Sequence, residues 1–296
     1  MDVSFRRLSV CCRVRVANLT VNNNRMKRKA FMSDAAAQIL QTVVSSAANA
    51  AASPSDEHLK EVKRAMDAVQ PQHLGLTTMP RRIGTHHVIR SQIVCECPGF
   101  ELCIFLFPAS ARLPLHDHPG MTVLSKVLYG SIALRAYDWE EPVSHSELSS
   151  MTNELERQER AHDAKSSRTS DASNFHDRPP PPVAPPPRDA LRRIDTVLTP
   201  EAPTFCLQPH FANIHSFEAL TDCAVLDLLL PPYDDDAGRT CHFFANVHGD
   251  GDRIKLIVAA PEPHSLDVRN APYKGPVVRI PQEVQVASTD MSVAPR

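Results

Sequence analysis

The chain has 296 residues, 42% of them apolar and 22% charged, with 34 acids against 32 bases for a formal charge of −2. That length is enough for one or two domains with a real core, and the near-neutral balance excludes a dedicated nucleic-acid or anionic-membrane binder, which needs a large positive surface. Pro 26 against Gly 9 reverses average usage of about 5% and 7%, so part of the chain is not expected to be globular.

Residues 1–33 read as a basic, disordered extension: residues 1–31 carry eight Lys/Arg and one acid, ending in Arg25, Lys27, Arg28 and Lys29. Such a run reads either as a nuclear-import signal or phosphate-seeking arm, or as a plain solvated tail. Neither a secretion signal nor 18 uninterrupted apolar residues is found. The eight cysteines (Cys11, Cys12, Cys95, Cys97, Cys103, Cys206, Cys223 and Cys241) form no CxxC pair and no dense framework, which fits a reducing compartment. The expected location is cytoplasm and nucleus.

An N-terminal helical segment is expected over 34–70. Ser33-Asp34 precede an Ala-rich stretch, and Ser53-Pro54-Ser55-Asp56 precede a run in which Leu59, Val62, Met66 and Val69 recur at helical spacing; this predicts helices over 35–51 and 56–69. From about residue 85 the texture changes to short apolar or alternating runs: HHVIRSQIVCE, FELCIFLFP, TVLSKVLYG, SIALRAYDW and CAVLDLLLPP. Punctuated by Pro98-Gly99, Pro108, Pro119-Gly120 and Gly130, they predict the strands of a sandwich or barrel rather than βαβ units. Residues 140–188, rich in Ser, Glu, Arg and Asp and closing with seven prolines among 179–187, read as a disordered insertion within one β domain spanning 71–283. Residues 284–296 read as a flexible tail.

One segment carries chemistry: Leu113-Pro114-Leu115-His116-Asp117-His118-Pro119-Gly120-Met121-Thr122. Period two on a strand turns His116 and His118 to one face, suited to two imidazoles on one metal, while Asp117 points away and is a poor ligand. Gly130 follows twelve residues after His118, which resembles the first motif of the cupin superfamily. The acid expected shortly after HxH is replaced by Thr122 and Val123, so a third ligand must come from elsewhere. The second cupin motif supplies a histidine from a later strand, and Asn213-Ile214-His215-Ser216-Phe217 matches it best. His116, His118 and His215 are therefore the candidate facial site. Imidazole ligation suits iron as well as zinc or copper, and spacing does not choose between them.

The run PLHDHPGMTVLSKVLYGSIALRAYDW, with LGL (74–76), FELCIFLFPASARLPLH, IHSFEALTDCAVLDLLLPPY and PYKGPVVRI (272–280), resembles the plant cysteine oxidases and their animal relative, cysteamine dioxygenase, over about 56–139 and 195–282. The resemblance implies a mainly β fold, a cupin double-stranded β-helix barrel with N-terminal helices, holding non-haem Fe(2+) on His116, His118 and His215. It implies an enzyme that uses O2 to oxidise the N-terminal cysteine of protein substrates, such as ethylene-response transcription factors, to the sulfinic acid that marks them for degradation. The alternatives are a small-aminothiol (cysteamine) dioxygenase, a non-catalytic metal-binding cupin, and a nuclear regulator whose basic arm matters more than its pocket. A monomer is expected, with no direct nucleic-acid or membrane partner.

Asp227, an acid inside an apolar strand, must be paired or functional, and the resemblance implies a role beside the metal site or on the substrate amine. Tyr233 matches a tyrosine at the pocket entrance. Cys241 matches a cysteine that the animal relative can link to a tyrosine two residues on; Phe243 stands there, so no such link is expected. Cys103 and Cys223 read as small core residues and Met121 as packing beside the metal. His242, His248, Lys126 and Arg135 read as solvated surface groups, and His86-His87 as the opening of a strand.

Overall fold

The computed structural model describes residues 30–76, 88–166, 183, 185–249, 251–259 and 266–285. Residues 1–29 of the proposed basic extension, the tail beyond 285, His86-His87 and the proline run over 179–182 fall outside these residues, whereas residues 30–33 of that extension already belong to the first helix. Two helices, α1 (Ala30–Ala52) and α2 (Asp56–Asp67), come first. Ser55 caps α2, its hydroxyl accepting the His58 N–H, and Asp56 and Glu57 occupy the first turn where the helix dipole favours acids. The spacing legible in the sequence buries Val62 and Met66.

The strands are β1 (Val88–Cys97), β2 (Phe100–Phe107), β3 (Arg112–His116), β4 (Thr122–Tyr129), β5 (Ile132–Trp139), β6 (Arg188–Leu198), β7 (Phe205–Leu207), β8 (Ile214–Ala219), β9 (Cys223–Leu230), β10 (Phe244–His248), β11 (Arg253–Val258) and β12 (Asp267–Asn270). Between β5 and β6 runs α3 (His145–Ser166), and α4 (Gln282–Gln285) follows the last strand. The five runs read as strands are β1, β2, β4, β5 and β9. They assemble into two six-stranded sheets, β12-β1-β2-β9-β4-β7 and β10-β11-β6-β5-β8-β3, whose pairings are antiparallel except β1 with β12. This is the cupin double-stranded β-helix. Among the described residues no helix is long and apolar enough to cross a membrane.

The first sheet is apolar on both faces, which is why FELCIFLF and CAVLDLLL read as nearly unbroken runs. Its outer face, with Leu102, Ile104, Leu106, Leu226 and Leu228, is covered by Leu40, Val43, Val44 and Met66 of the helices; each such side chain contributes about 1.5–3 kcal/mol on burial. Its inner face, with Cys103, Phe105, Phe107, Val225 and Leu229, packs against Leu134, Ala136 and Phe217 of the second sheet. Gly130 turns β4 into β5 at φ +75°, and a Cβ there would stand 2.2 Å from the Asp222 carbonyl oxygen, so the glycine of the motif is a steric requirement.

Two sequence readings are corrected here. The insertion is not irregular throughout, since α3 fills residues 145–166. Ser144 accepts the Glu147 N–H, Glu154 pairs with Arg157 and Glu156 with Arg160 along the exposed side, and Leu148 and Met151 pack with Tyr137, Ile214 and Phe244. A Ser-, Glu- and Arg-rich composition serves a solvated helix face as well as a disordered loop. Lys126 is also not solvated: it is 6% exposed, and its Nζ donates to the carbonyls of Pro200 and Ala202 at 2.5 and 2.7 Å.

Candidate metal centre

His116 ends β3 and stands in register with His215 of β8, so strand pairing alone sets two imidazoles side by side. His118 joins them from the turn leading into β4, where the Met121 N–H donates to the His118 carbonyl. Asn213 fixes that turn with both ends of its amide, accepting the His118 N–H and donating to the His118 carbonyl, each at 2.9 Å. Because Asn213 lies two residues before His215, this clamp binds the segment carrying the first two imidazoles to the one carrying the third.

The three ring centroids lie 4.4 to 5.0 Å apart, one ligand nitrogen from each falls within 4.8 Å of the others, and all three residues are buried. Burial holds each imidazole below its ordinary pKa, and for His118 and His215 well below it, with the neighbouring rings adding to the effect. Neutral imidazoles carry the lone pairs a metal requires. His116 Nδ1 lies 2.8 Å from the Pro114 carbonyl, which can only accept, so the proton is on Nδ1 and the lone pair on Nε2. Nδ1 of His118 and of His215 is buried without a hydrogen-bond partner, a cost of about 1–3 kcal/mol each for a set closed by protein alone. Three converging imidazoles, two of them with an unpartnered buried nitrogen, fit a metal ion of the borderline class that imidazole prefers.

Tyr233 stacks on His118 at a centroid distance of 5.1 Å, and its hydroxyl donates to the Asp117 carbonyl at 2.7 Å. Asp227 is separate from this group. It projects from β9 into the barrel from the opposite sheet, hydrogen-bonded by Ser125 with Oδ1 buried and unpartnered, and burial pushes its carboxyl up to about 7. Met121 is fully buried in the core, as are Cys103 and Cys223; burial raises the Cys223 thiol to about 12, which makes it inert. Burial raises the Cys241 thiol too, against a hydrogen bond with Tyr233. Phe243 lies against His116 at 6.1 Å between centroids and has no hydroxyl.

His242 is the third correction: it is fully buried. Its Nδ1 is 2.9 Å from Asp117 Oδ2, its backbone N–H donates to Asp117 Oδ1 at 2.8 Å, and its Nε2 is 3.1 Å from Ser149 Oγ on α3. Asp117 does point away from the metal face, and this is what it points to. Glu101 was missed outright: it is 2% exposed on β2, and the signal that flagged Asp227, an acid in an apolar strand, was equally present in FELCIFLF.

A family model described as PCO_ADO matches residues 50–278. The chain is 28% identical over 246 residues to plant cysteine oxidase 2 of Arabidopsis thaliana, covering 76% of each, and 29% identical over 207 residues to 2-aminoethanethiol dioxygenase of Mus musculus, covering 62% of this chain and 69% of the relative. Among solved structures, a cupin superfamily protein of Desulfitobacterium hafniense overlaps 52% of this chain and 84% of its own at 10% identity and TM-score 0.28, a likeness on which nothing rests. The family match runs from the end of α1 through every strand of the barrel to residue 278, and the chain belongs to the PCO_ADO family of thiol dioxygenases.

Proposed function

We propose that this protein is an iron(II)-dependent dioxygenase that converts the N-terminal cysteine of protein substrates to cysteine sulfinic acid. The observation that carries the reading is the buried cluster of three neutral histidines, His116, His118 and His215, facing a barrel interior that carries Asp227. The three imidazoles would hold the ion and leave the rest of its surroundings free for thiol and O2. Iron(II) supplies the electronic route by which O2 reacts with a thiolate. Asp227 is suited to receive the substrate amine, and Tyr233 fixes the His118 ring and the backbone between the two first ligands. The reaction balances without an external reductant: R–SH and O2 give R–SO2H, both oxygen atoms pass to sulfur, and sulfur supplies the four electrons that O2 accepts.

On this reading the product marks the substrate for degradation, making turnover an oxygen-sensing step of a hypoxia response in cytoplasm and nucleus, with the basic run at 25–29 as the import signal. A second reading, oxidation of the small aminothiol cysteamine, is favoured by the relatives named 2-aminoethanethiol dioxygenase. The test is anaerobic loading with iron(II), then mass spectrometry of a Cys-initiated peptide and of cysteamine with and without O2. A gain of two oxygens on the peptide supports the first reading and a gain on cysteamine alone the second. No gain on either despite bound iron overturns both.

A further inference from the structure

The interior of the barrel is acidic, and on the first sheet no base answers it. Along β2, Phe100, Leu102, Ile104 and Leu106 pack outward beneath the helices, whereas Cys103, Phe105 and Phe107 pack inward. Period two therefore turns Glu101 inward. On β9, Asp227 shares the inward face with Val225 and Leu229. The register sets Glu101 opposite Leu229 and Cys103 opposite Asp227, so the two acids are diagonal neighbours on adjacent strands, about 7–8 Å apart at the backbone and within reach of long side chains. Glu101 shares a row with Leu229 and Val123, at the end of the barrel where the His118–Met121 turn enters β4.

Glu101 is 2% and Asp227 7% exposed, and Glu101 Oε1 and Asp227 Oδ1 are both buried without a hydrogen-bond partner. Strands β2, β4 and β9 contain one base, Lys126, which shares the outward face with Leu124 and Leu128 and is satisfied by two carbonyls. Buried carboxylates without a counter-charge are costly, and a protein that keeps two on the wall facing its imidazole cluster is built to receive positive charge from outside.

We infer that Glu101 is a specificity residue which, together with Asp227, receives the ammonium group of an aminothiol substrate, an inference that rests on the thiol-dioxygenase reading. Charge bookkeeping fits. A divalent ion among three neutral imidazoles, with one thiolate and one ammonium brought by the aminothiol, sums to two positive charges, and Glu101 and Asp227 provide two negative ones once that charge draws off the protons that burial favours on them in the empty pocket. An uncharged thiol leaves the balance one charge short, so the pocket discriminates by the amine. An N-terminal cysteine and cysteamine share this chemistry.

The test is anaerobic binding of cysteamine and of ethanethiol to the iron(II)-loaded full chain, comparing the unmodified protein with Glu101→Gln, Glu101→Ser and Glu101→Asp. The unmodified protein is expected to prefer cysteamine, the ratio of dissociation constants to fall at least tenfold in the Gln and Ser variants, and the Asp variant to keep most of the preference. Two charge-removing variants of different size guard against a folding defect in one. No preference in the unmodified protein, an unchanged ratio in folded Gln or Ser variants, or equal losses for both thiols would overturn the inference. Because binding needs no turnover, a protein that binds cysteamine in this way without oxidising any thiol overturns the dioxygenase reading and leaves the role of Glu101 standing. Oxidation with an unchanged ratio does the reverse.

Discussion

Asp117, the residue between the two first imidazoles, holds His242 through its carboxylate, whose two oxygens lie 2.9 and 3.1 Å from Nδ1 and which accepts the backbone N–H at 2.8 Å. Ser149 completes the chain on the other ring nitrogen, so the imidazole joins the ligand-bearing segment to the inserted helix. His242→Ala leaves a buried carboxylate short of a partner, for an expected loss of about 2–3 kcal/mol. It also frees the segment that positions His116 and His118. Urea denaturation and metal content after dialysis check this: His242→Ala should unfold at lower urea and retain less metal, with Asn at position 242 recovering part of both. Unchanged stability would show that the pair contributes nothing.

Burial raises the Asp227 carboxyl from 3.8 to about 7, with the Ser125 hydrogen bond opposing. Between those values the native state holds a proton that the unfolded chain has released, so this group makes stability fall as pH rises through that window. At about 1.4 kcal/mol per pH unit, the loss by pH 7.5 is of the order of 4 kcal/mol. The metal-free Asp227→Asn variant should therefore gain on the native protein from pH 4 to pH 7.5, measured by urea denaturation in the presence of chelator. A difference that stays constant with pH would show that this carboxyl is not the group titrating.

His116 and His118 were legible as a pair because HDH spacing is a property of consecutive residues, although His118 stands in the turn after β3 rather than on the strand, whereas His215 was reached only through its resemblance to the second cupin motif. The strands were legible because their signal, too, lies in consecutive residues. Burial of His242 was not, because it depends on Ser149 and Leu148 of α3, and that helix lies in a segment whose composition suits solvent as well as a docked face. Lys126 and Glu101 stand in runs as apolar as the one around Asp227. Their burial was announced by context, but the carbonyls that satisfy the lysine, at positions 200 and 202, belong to a turn more than 70 residues away.

Because α3 is docked, its apolar contacts should be measurable. Leu148 is 4% exposed and packs in the cluster with Tyr137, Ile214, Phe244 and Leu256. Truncation to alanine removes buried surface and leaves a cavity, costing about 2–5 kcal/mol, and deletion of residues 144–166 uncovers the same cluster and strips His242 of its Ser149 contact. Both changes are expected to lower Tm, the deletion more. A deletion variant as stable as the intact chain would return the insertion to the status of a dispensable loop.

The sharpest test of the metal centre separates ligand from scaffold. His215 sits on β8 between His116 on β3 and Ala136 on β5 in the same register, so alanine fits the strand and takes away a lone pair without breaking the ladder. His215→Ala should keep the far-ultraviolet spectrum and the metal-free Tm to within a few degrees, while iron(II) retained after dialysis falls at least tenfold. Asn213→Ala is the contrasting variant. It leaves all three imidazoles but removes the amide that clamps His118 from both sides, and a buried backbone pair left unsatisfied costs about 1–3 kcal/mol. That variant should lose stability first and bind iron more weakly rather than not at all. Full iron occupancy in His215→Ala would remove it from the site, because a set reduced to His116 and His118 offers two imidazoles where the pocket brings together three.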